Sequence, residues 1–172
     1  MKNLFVVFFV VIVFATSCNG FEVPKTGTAS QIAETALKEF EGLRLTKYQD
    51  IGGTWTIGYG STKKSLVSKG TITKDEALQQ LREDISSCEK AVNDLVVVSL
   101  TEHQKAALIS FVYNLGRTNF AESTLLKELN QGHYNEVPTQ LRRWVHSKGK
   151  VVKGLKNRRE KEILLWNYKP EK

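Results

Sequence analysis

Three side chains on one short stretch carry groups suited to breaking a glycosidic bond. Glu41, Asp50 and Thr56 lie within residues 40–61, FEGLRLTKYQDIGGTWTIGYGS. Cleaving such a bond without metal or cofactor takes two carboxyl groups in different states. One keeps a proton and gives it to the leaving oxygen; the other stays ionised and activates water or stabilises positive charge on the sugar. Glu41 is expected on the last turn of a helix, beside Phe40 and Leu43, where apolar neighbours and the helix dipole both favour a protonated carboxyl. Asp50 falls at a wet, glycine-rich turn and is expected to stay ionised. Thr56 could hold a water between Asp50 and the sugar. Each residue also has an ordinary structural reading. Aspartate is common before a glycine turn, threonine is common on strands, and a lone glutamate is usually a surface residue. The spacing Glu-x8-Asp-x5-Thr is therefore a weak signal by itself.

The elements around these residues must bring them together. Leu43 and Leu45 alternate with Arg44 and Thr46; Trp55, Ile57 and Tyr59 alternate with Thr54, Thr56 and Gly58. Two such runs joined by Asp-Ile-Gly-Gly predict a β-hairpin. Ahead of it, Ser30 is expected to cap a helix with Ile32, Ala33, Ala36, Leu37 and Phe40 on its apolar face, ending at Gly42. After the hairpin, a weak strand is expected over residues 65–67. Thr73 with Glu76 forms a capping box. It opens the longest helix, whose stripe of Leu78, Leu81, Ile85, Cys88, Val92 and Leu95 suits a connector between two lobes. Cys88 on that stripe is expected to be a buried free thiol.

Further helices follow from the Thr101/Gln104 capping box, from Ser123, and from Pro138 at a first-turn position. Gly149 and Gly154 flank a basic loop, SKGKVVKG, ahead of a last helix carrying Ile163, Leu164 and Trp166. Trp144 and Trp166 are expected in the core. Arg142, Arg143, Arg158 and Arg159 are expected on solvated faces.

The totals bound the class. A chain of 172 residues with 41% hydrophobic and 25% charged residues suits one soluble domain with a real core. Its formal charge of +7 favours an anionic partner such as nucleic acid, acidic lipid or bacterial wall polymer. Two cysteines, Cys18 and Cys88, are too few for a disulfide framework. His103, His133 and His146 are scattered and read as exposed or capping residues, so no metal and no cofactor is expected. Residues 1–17 read as a signal peptide: Lys2, an apolar run, then Ala15-Thr16-Ser17. Cys18 directly after it resembles the lipobox of bacterial lipoproteins. A plain cleavable signal, a lipid on Cys18 and an uncleaved anchor all remain open, and all three export the domain. Residues 18–29 read as a linker, and residues 30–168 as the domain.

EGLRLTKYQDIGGTWTIGYG closely resembles the catalytic segment of phage-type lysozymes, the endolysins of glycoside hydrolase family 24. The likeness continues through LTEHQKAALISFVYNLG, STLLKELNQG and RRWVHSKGKVVKGLKNRREKEILLW. It implies an α+β, mostly helical fold in two lobes, with a small antiparallel hairpin lobe and a long connecting helix. It implies a muramidase acting on the β-1,4 bond between N-acetylmuramic acid and N-acetylglucosamine of peptidoglycan. By position, Glu41 is the proton donor, Asp50 the carboxylate that handles water, and Thr56 the third member. Inversion is expected, with the carboxyl groups roughly 6.5–9.5 Å apart. Tyr113 and Asn114 fall where the family lines its cleft floor and are candidates for substrate binding. Ser61 stands where the family usually has His, and is expected to cost local stability rather than chemistry.

The expected partner is bacterial peptidoglycan, met by a monomer. Membrane contact is expected only through the leader or a lipid on Cys18. A non-catalytic wall-binding protein on the same scaffold is the alternative. A nucleic-acid binder would need a contiguous basic stripe with aromatic platforms, whereas the basic residues here are dispersed among acids.

Overall fold

A computed structural model describes residues 20–50, 53–147 and 149–170. The leader expected over residues 1–17, Cys18, and Ile51 and Gly52 of the expected hairpin loop lie outside them.

The first helix, α1 (Ala29–Glu41), ends with Glu41 as its last residue, and Gly42 turns the chain out at φ 66°. Its cap is Thr28, whose hydroxyl accepts from the Gln31 amide in a full capping box. Ser30, the expected cap, sits inside the first turn and donates to Glu89 at 2.7 Å. The hairpin follows as β1 (Arg44–Gln49) and β2 (Trp55–Gly58), antiparallel, with Tyr48 opposite Thr56 and Gln49 opposite Trp55. Its alternation does not bury one clean face. Leu43, Leu45 and Trp55 are exposed, while Thr56, Ile57, Gly58 and Tyr59 are buried in succession. The reason is that β2 enters the joint between the lobes, where Ile72 and Ala77 stand 3.4 Å from where a Gly58 Cβ would lie.

The expected strand over residues 65–67 is instead α2 (Lys64–Val67), a single helical turn. Leu66 and Val67 are half-buried against the core from one side of that turn. The strand-like pairing comes later: Thr71 bridges to Thr46, and the Ile72 amide donates to the Leu45 carbonyl at 2.9 Å.

The connector is α3 (Lys74–Leu95), 22 residues opened by the Thr73/Glu76 capping box. Next come α4 (Glu102–Leu115), capped by Thr101 and Gln104, then α5 (Arg117–Ala121), and α6 (Thr124–Asn130) capped by Ser123. A 3-10 turn leads into α7 (Val137–Leu141), with Pro138 in its first turn. The basic loop forms a second, two-residue hairpin, β3 (His146–Ser147) with β4 (Lys150–Val151). The last helix, α8 (Lys153–Asn167), starts early enough to take Gly154 into its first turn.

Helix α4 is the axis of the body. Eight of its residues are buried, and it packs against α1, α3 and α8. Trp166 is buried; Trp144 is half-buried and meets Phe111 edge-on, 5.6 Å between centroids.

The segment expected to be a linker is partly packed. Phe21 is buried against Phe40, 5.3 Å between ring centroids, with the Lys161 ammonium 5.5 Å from its ring. His103, expected exposed or capping, is buried on α4. Its Nε2–H donates to the Pro24 carbonyl at 2.7 Å, and its ring stacks on Tyr168. Folded structure therefore begins ahead of residue 30.

Candidate active site

Glu41 reaches the joint between the lobes because α1 ends on it and Gly42 stops the helix there. The carboxyl is partly buried and held from two sides. Arg158 of α8 donates to Oε1. On the other side Gly60 packs so close that a Cβ there would lie 3.1 Å from Oε2.

Arg158 is itself buried and saturated. Its guanidinium also donates to Glu162 Oε1 at 3.2 Å and to the Ser110 carbonyl at 3.1 Å. Glu162 is fully buried, accepts from Ser110 Oγ at 2.7 Å, and accepts from Arg159 at 3.0 Å. Arg159 is fully buried over the Phe111 ring and donates to Asn114 Oδ1 at 3.0 Å. Burial pushes Arg159 below its ordinary value, against the pull of the neighbouring Glu162. These two arginines correct the expectation of solvated faces. Both lie on the side of α8 that packs on α4; the buried Glu162 carboxylate accepts from both, and Glu41 accepts from Arg158. Arg142, paired with Glu160, and Arg143 are exposed as expected.

Asp50 is exposed at the hairpin tip. Its Oδ1 accepts from the Thr54 amide at 2.8 Å, so the side chain clasps its own loop. Thr56 is buried, and its hydroxyl donates to the Thr54 carbonyl at 3.0 Å. The residue that joins the group is Tyr48. It is the cross-strand partner of Thr56, so both side chains stand on one face of the hairpin. Burial raises its phenol above the ordinary value; Arg44 opposes that, and the charges of Glu41 and Asp50 add to it. Tyr48 is placed beside Thr56 by register, and the charges of Glu41 and Asp50 both act on its phenol.

Tyr113, half-buried on α4, donates its hydroxyl to the Tyr59 carbonyl at 2.6 Å. Its phenol is raised strongly, by burial first and then by the Glu41 charge. Asn114 turns its carbonyl inward to Arg159. Next to them opens a cavity of about 690 Å³ lined by Gly60, Ser61, Asp84, Cys88 and Tyr113 among others. Glu41 is not part of that lining; Gly60, which is, packs against its carboxyl. Cys88 is half-buried and free, its thiol pushed up to about 12 by burial. Among the described residues, no group of three or more His, Cys, Asp or Glu side chains could hold a metal ion.

Sequence reasoning missed Tyr48, Arg158, Arg159 and Glu162. A signal for the last three exists. They recur with Leu155, Ile163 and Trp166 at helical spacing, so three charged residues stand on the stripe where α8 should be apolar.

A helical body with a small antiparallel lobe, joined by one long helix and carrying a carboxyl at the joint, defines the lysozyme class of fold. The profile of the phage lysozyme family matches residues 38–162, and the chain belongs to that family. It is a lysozyme, a peptidoglycan hydrolase. The SAR-endolysin of Enterobacteria phage PA-2 is 41% identical over 128 residues, 73% of this chain and 78% of that protein. The SAR-endolysin of Escherichia phage Mu is 36% identical over 143 residues, 83% of each chain. Among solved structures, the muramidase domain of SpmX from Asticaccaulis excentricus matches with a TM-score of 0.73 and 32% identity, covering 84% of this chain and 100% of that one. The endolysin from Escherichia coli O157:H7 phage FAHEc1 matches at 0.69 and 34%, covering 78% and 90%.

Proposed function

We propose that the protein cleaves the β-1,4 bond between N-acetylmuramic acid and N-acetylglucosamine of peptidoglycan with inversion. Glu41 gives its proton to the leaving glycosidic oxygen. Asp50, with Thr56, orients a water on the opposite face of the sugar and takes its proton as the new C–O bond forms. Tyr113 and Asn114 stand on α4 beside the cavity, where an aromatic ring and an amide suit a sugar. The domain acts outside the cytoplasm, delivered by the segment over residues 1–17; the relatives named SAR-endolysins support export.

One observation carries the reading: Glu41 is wedged between the hairpin lobe, at Gly60, and the helical body, at Arg158. A glutamate serving only stability would not be expected at a helix C-terminus, where its charge opposes the dipole.

The test is Glu41→Gln. Glutamine keeps an acceptor for Arg158, so the fold should persist with thermal unfolding nearly unchanged. Release of reducing ends from purified sacculi should fall about 10³-fold, the contribution expected of a general acid. Full activity in the variant would remove Glu41 from the reaction. NMR of the first-formed product should show the α anomer; the β anomer would exclude inversion. Binding to sacculi without release of reducing ends by the unaltered protein would favour the non-catalytic alternative.

A further inference from the structure

We propose that Glu162 is a positioning residue for the reaction: buried behind Arg158, it fixes that guanidinium against Glu41 and sets the positive charge the Glu41 carboxyl faces. The proposal rests on the reading of Glu41 as the proton donor.

The geometry is a closed chain of buried charges. Glu162 Oε1 gathers three donors, from Ser110 Oγ at 2.7 Å, Arg159 at 3.0 Å and Arg158 at 3.2 Å. Arg158, gripped there and by the Ser110 carbonyl, has one direction left, and it points to Glu41 Oε1. Arg159, gripped by the same carboxylate, holds Asn114 at 3.0 Å. Arg158, and through Arg159 the Asn114 amide, are thereby aligned by one carboxylate that cannot touch substrate, since Glu162 has no exposed surface.

The arrangement is more than a scaffold because its charge is finely divided. Arg159 Nε lies 2.9 Å from Glu162 Oε2 but without the alignment a hydrogen bond needs, and Arg159 Nη1 has no hydrogen-bond partner among the described residues. One hydrogen bond, from Arg159 Nη2 to Glu162 Oε1, joins the pair, and the other buried polar atoms are left to charge alone at a cost. An apolar pair of similar volume would avoid that cost, so retention of the ions is better explained by what their charges do to a neighbour. Setting Glu41 aside, Arg158, Arg159 and Glu162 sum to +1. Removing Glu162 would leave +2 behind Glu41; removing Arg159 would leave 0. Among the described residues, Glu41 also acts on two phenols, Tyr48 from β1 and Tyr113 from α4, and on Arg159 of α8 itself. From α3, Asp84 acts on Tyr113 and Cys88. Arg158 of α8 also acts on Tyr113 and Cys88, and it is kept in every variant below.

Because a general acid must carry its proton, activity falls as pH rises through its ionisation. Added positive charge behind Glu41 favours the ionised carboxyl, and removed positive charge favours the protonated one. In Glu162→Gln the basic limb of the kcat profile should move down by about one pH unit. In Arg159→Gln it should move up by a similar amount. In the double variant, which restores +1, it should return to the starting position. The effect should sit in kcat, with KM changed less than threefold.

Profiles are measured on the full chain with solubilised peptidoglycan, after thermal unfolding has confirmed that each variant is folded at the assay temperature. If Glu162→Gln does not fold, Arg159→Gln and the double variant still decide the sign. Equal loss of kcat at every pH, with no movement of the limb in any variant, would reduce Glu162 to a structural residue and overturn the proposal. That result is distinguishable from failure of the functional reading, in which Glu41→Gln itself stays active.

Discussion

Glu41 and Gly60 approach closely enough that the glycine's missing side chain becomes part of the site. A Cβ at Gly60 would stand 3.1 Å from Oε2, and the backbone there has φ +86°, a region L side chains rarely adopt. Gly60→Ala should therefore act twice. Strain should cost about 1–2 kcal/mol of stability, read as a lower unfolding midpoint in denaturant. On the proposed mechanism, displacement of the carboxyl should also lower kcat about tenfold or more at temperatures where the variant is fully folded, since small misplacements of reacting groups are costly. Stability loss with undiminished kcat would mean that Oε2 is not held by this contact. At this scale the sequence was partly legible. Glu41, Asp50 and Thr56 stood out through the letters around them, not through their spacing. Arg158, Arg159 and Glu162 were not found, because charged residues on a helix are ordinarily solvated and only their place on the apolar stripe argues otherwise. Tyr48 could not be recognised without the register that sets it opposite Thr56.

Among the elements, the segment ahead of α1 behaves as part of the body. Phe21 is buried in contact with Phe40, and Pro24 receives the His103 ring nitrogen. Phe21→Ala should cost about 3–5 kcal/mol, measured by urea unfolding; a change under about 1 kcal/mol would return the segment to the status of a linker. Its composition had suggested otherwise. Gly20, Pro24 and Gly27 with no periodicity read as loop, and the segment is indeed irregular. Irregular backbone can still deliver one aromatic to a core, and a lone Phe gives no period from which to infer burial. The helices were better marked, since the capping boxes at Thr73 and Thr101 specify their own starts. At α1 two hydroxyl residues compete for the cap, and Thr28 wins because Gln31 lies three residues on to complete the box. The turn of α2 was misread because four residues are too few to distinguish a period of two from one of 3.6.

For the whole molecule, the two lobes meet along β2, α3 and the residues lining the cavity. Ser61 and Asp84 both line it. Burial raises the Asp84 carboxyl above its ordinary value, with Gln80 opposing at 2.8 Å. Ionising Asp84 thus costs the fold some stability as pH climbs through that raised value. Ser61→His would place an imidazole in the same space. A histidine paired with Asp84 has its folded value raised above about 6.5, so its stabilisation is fully present below that pH and fades as pH rises through the raised value. Each unit of that rise is worth about 1.4 kcal/mol. Thermal unfolding at pH 6 and pH 9 should show a gain at the first that shrinks at the second; equal gains would mean no ion pair forms. On the proposed mechanism, activity at pH 6 should change little, because Glu41, Asp50 and Thr56 are untouched. Higher activity without higher stability would argue against a purely mechanical role for this position. The two-lobed architecture was legible from the resemblance and from the long stripe of α3. The cavity was not, since it arises where three separate stretches converge.

Arg158 stands 117 residues downstream of Glu41. During translation Glu41 and the hairpin leave the ribosome long before the guanidinium that pairs with that carboxyl. A nascent chain stalled before α8, or a product clipped between β3 and α8, lacks the guanidinium that pairs with Glu41. Such fragments should be inert toward the wall even where the hairpin itself is intact.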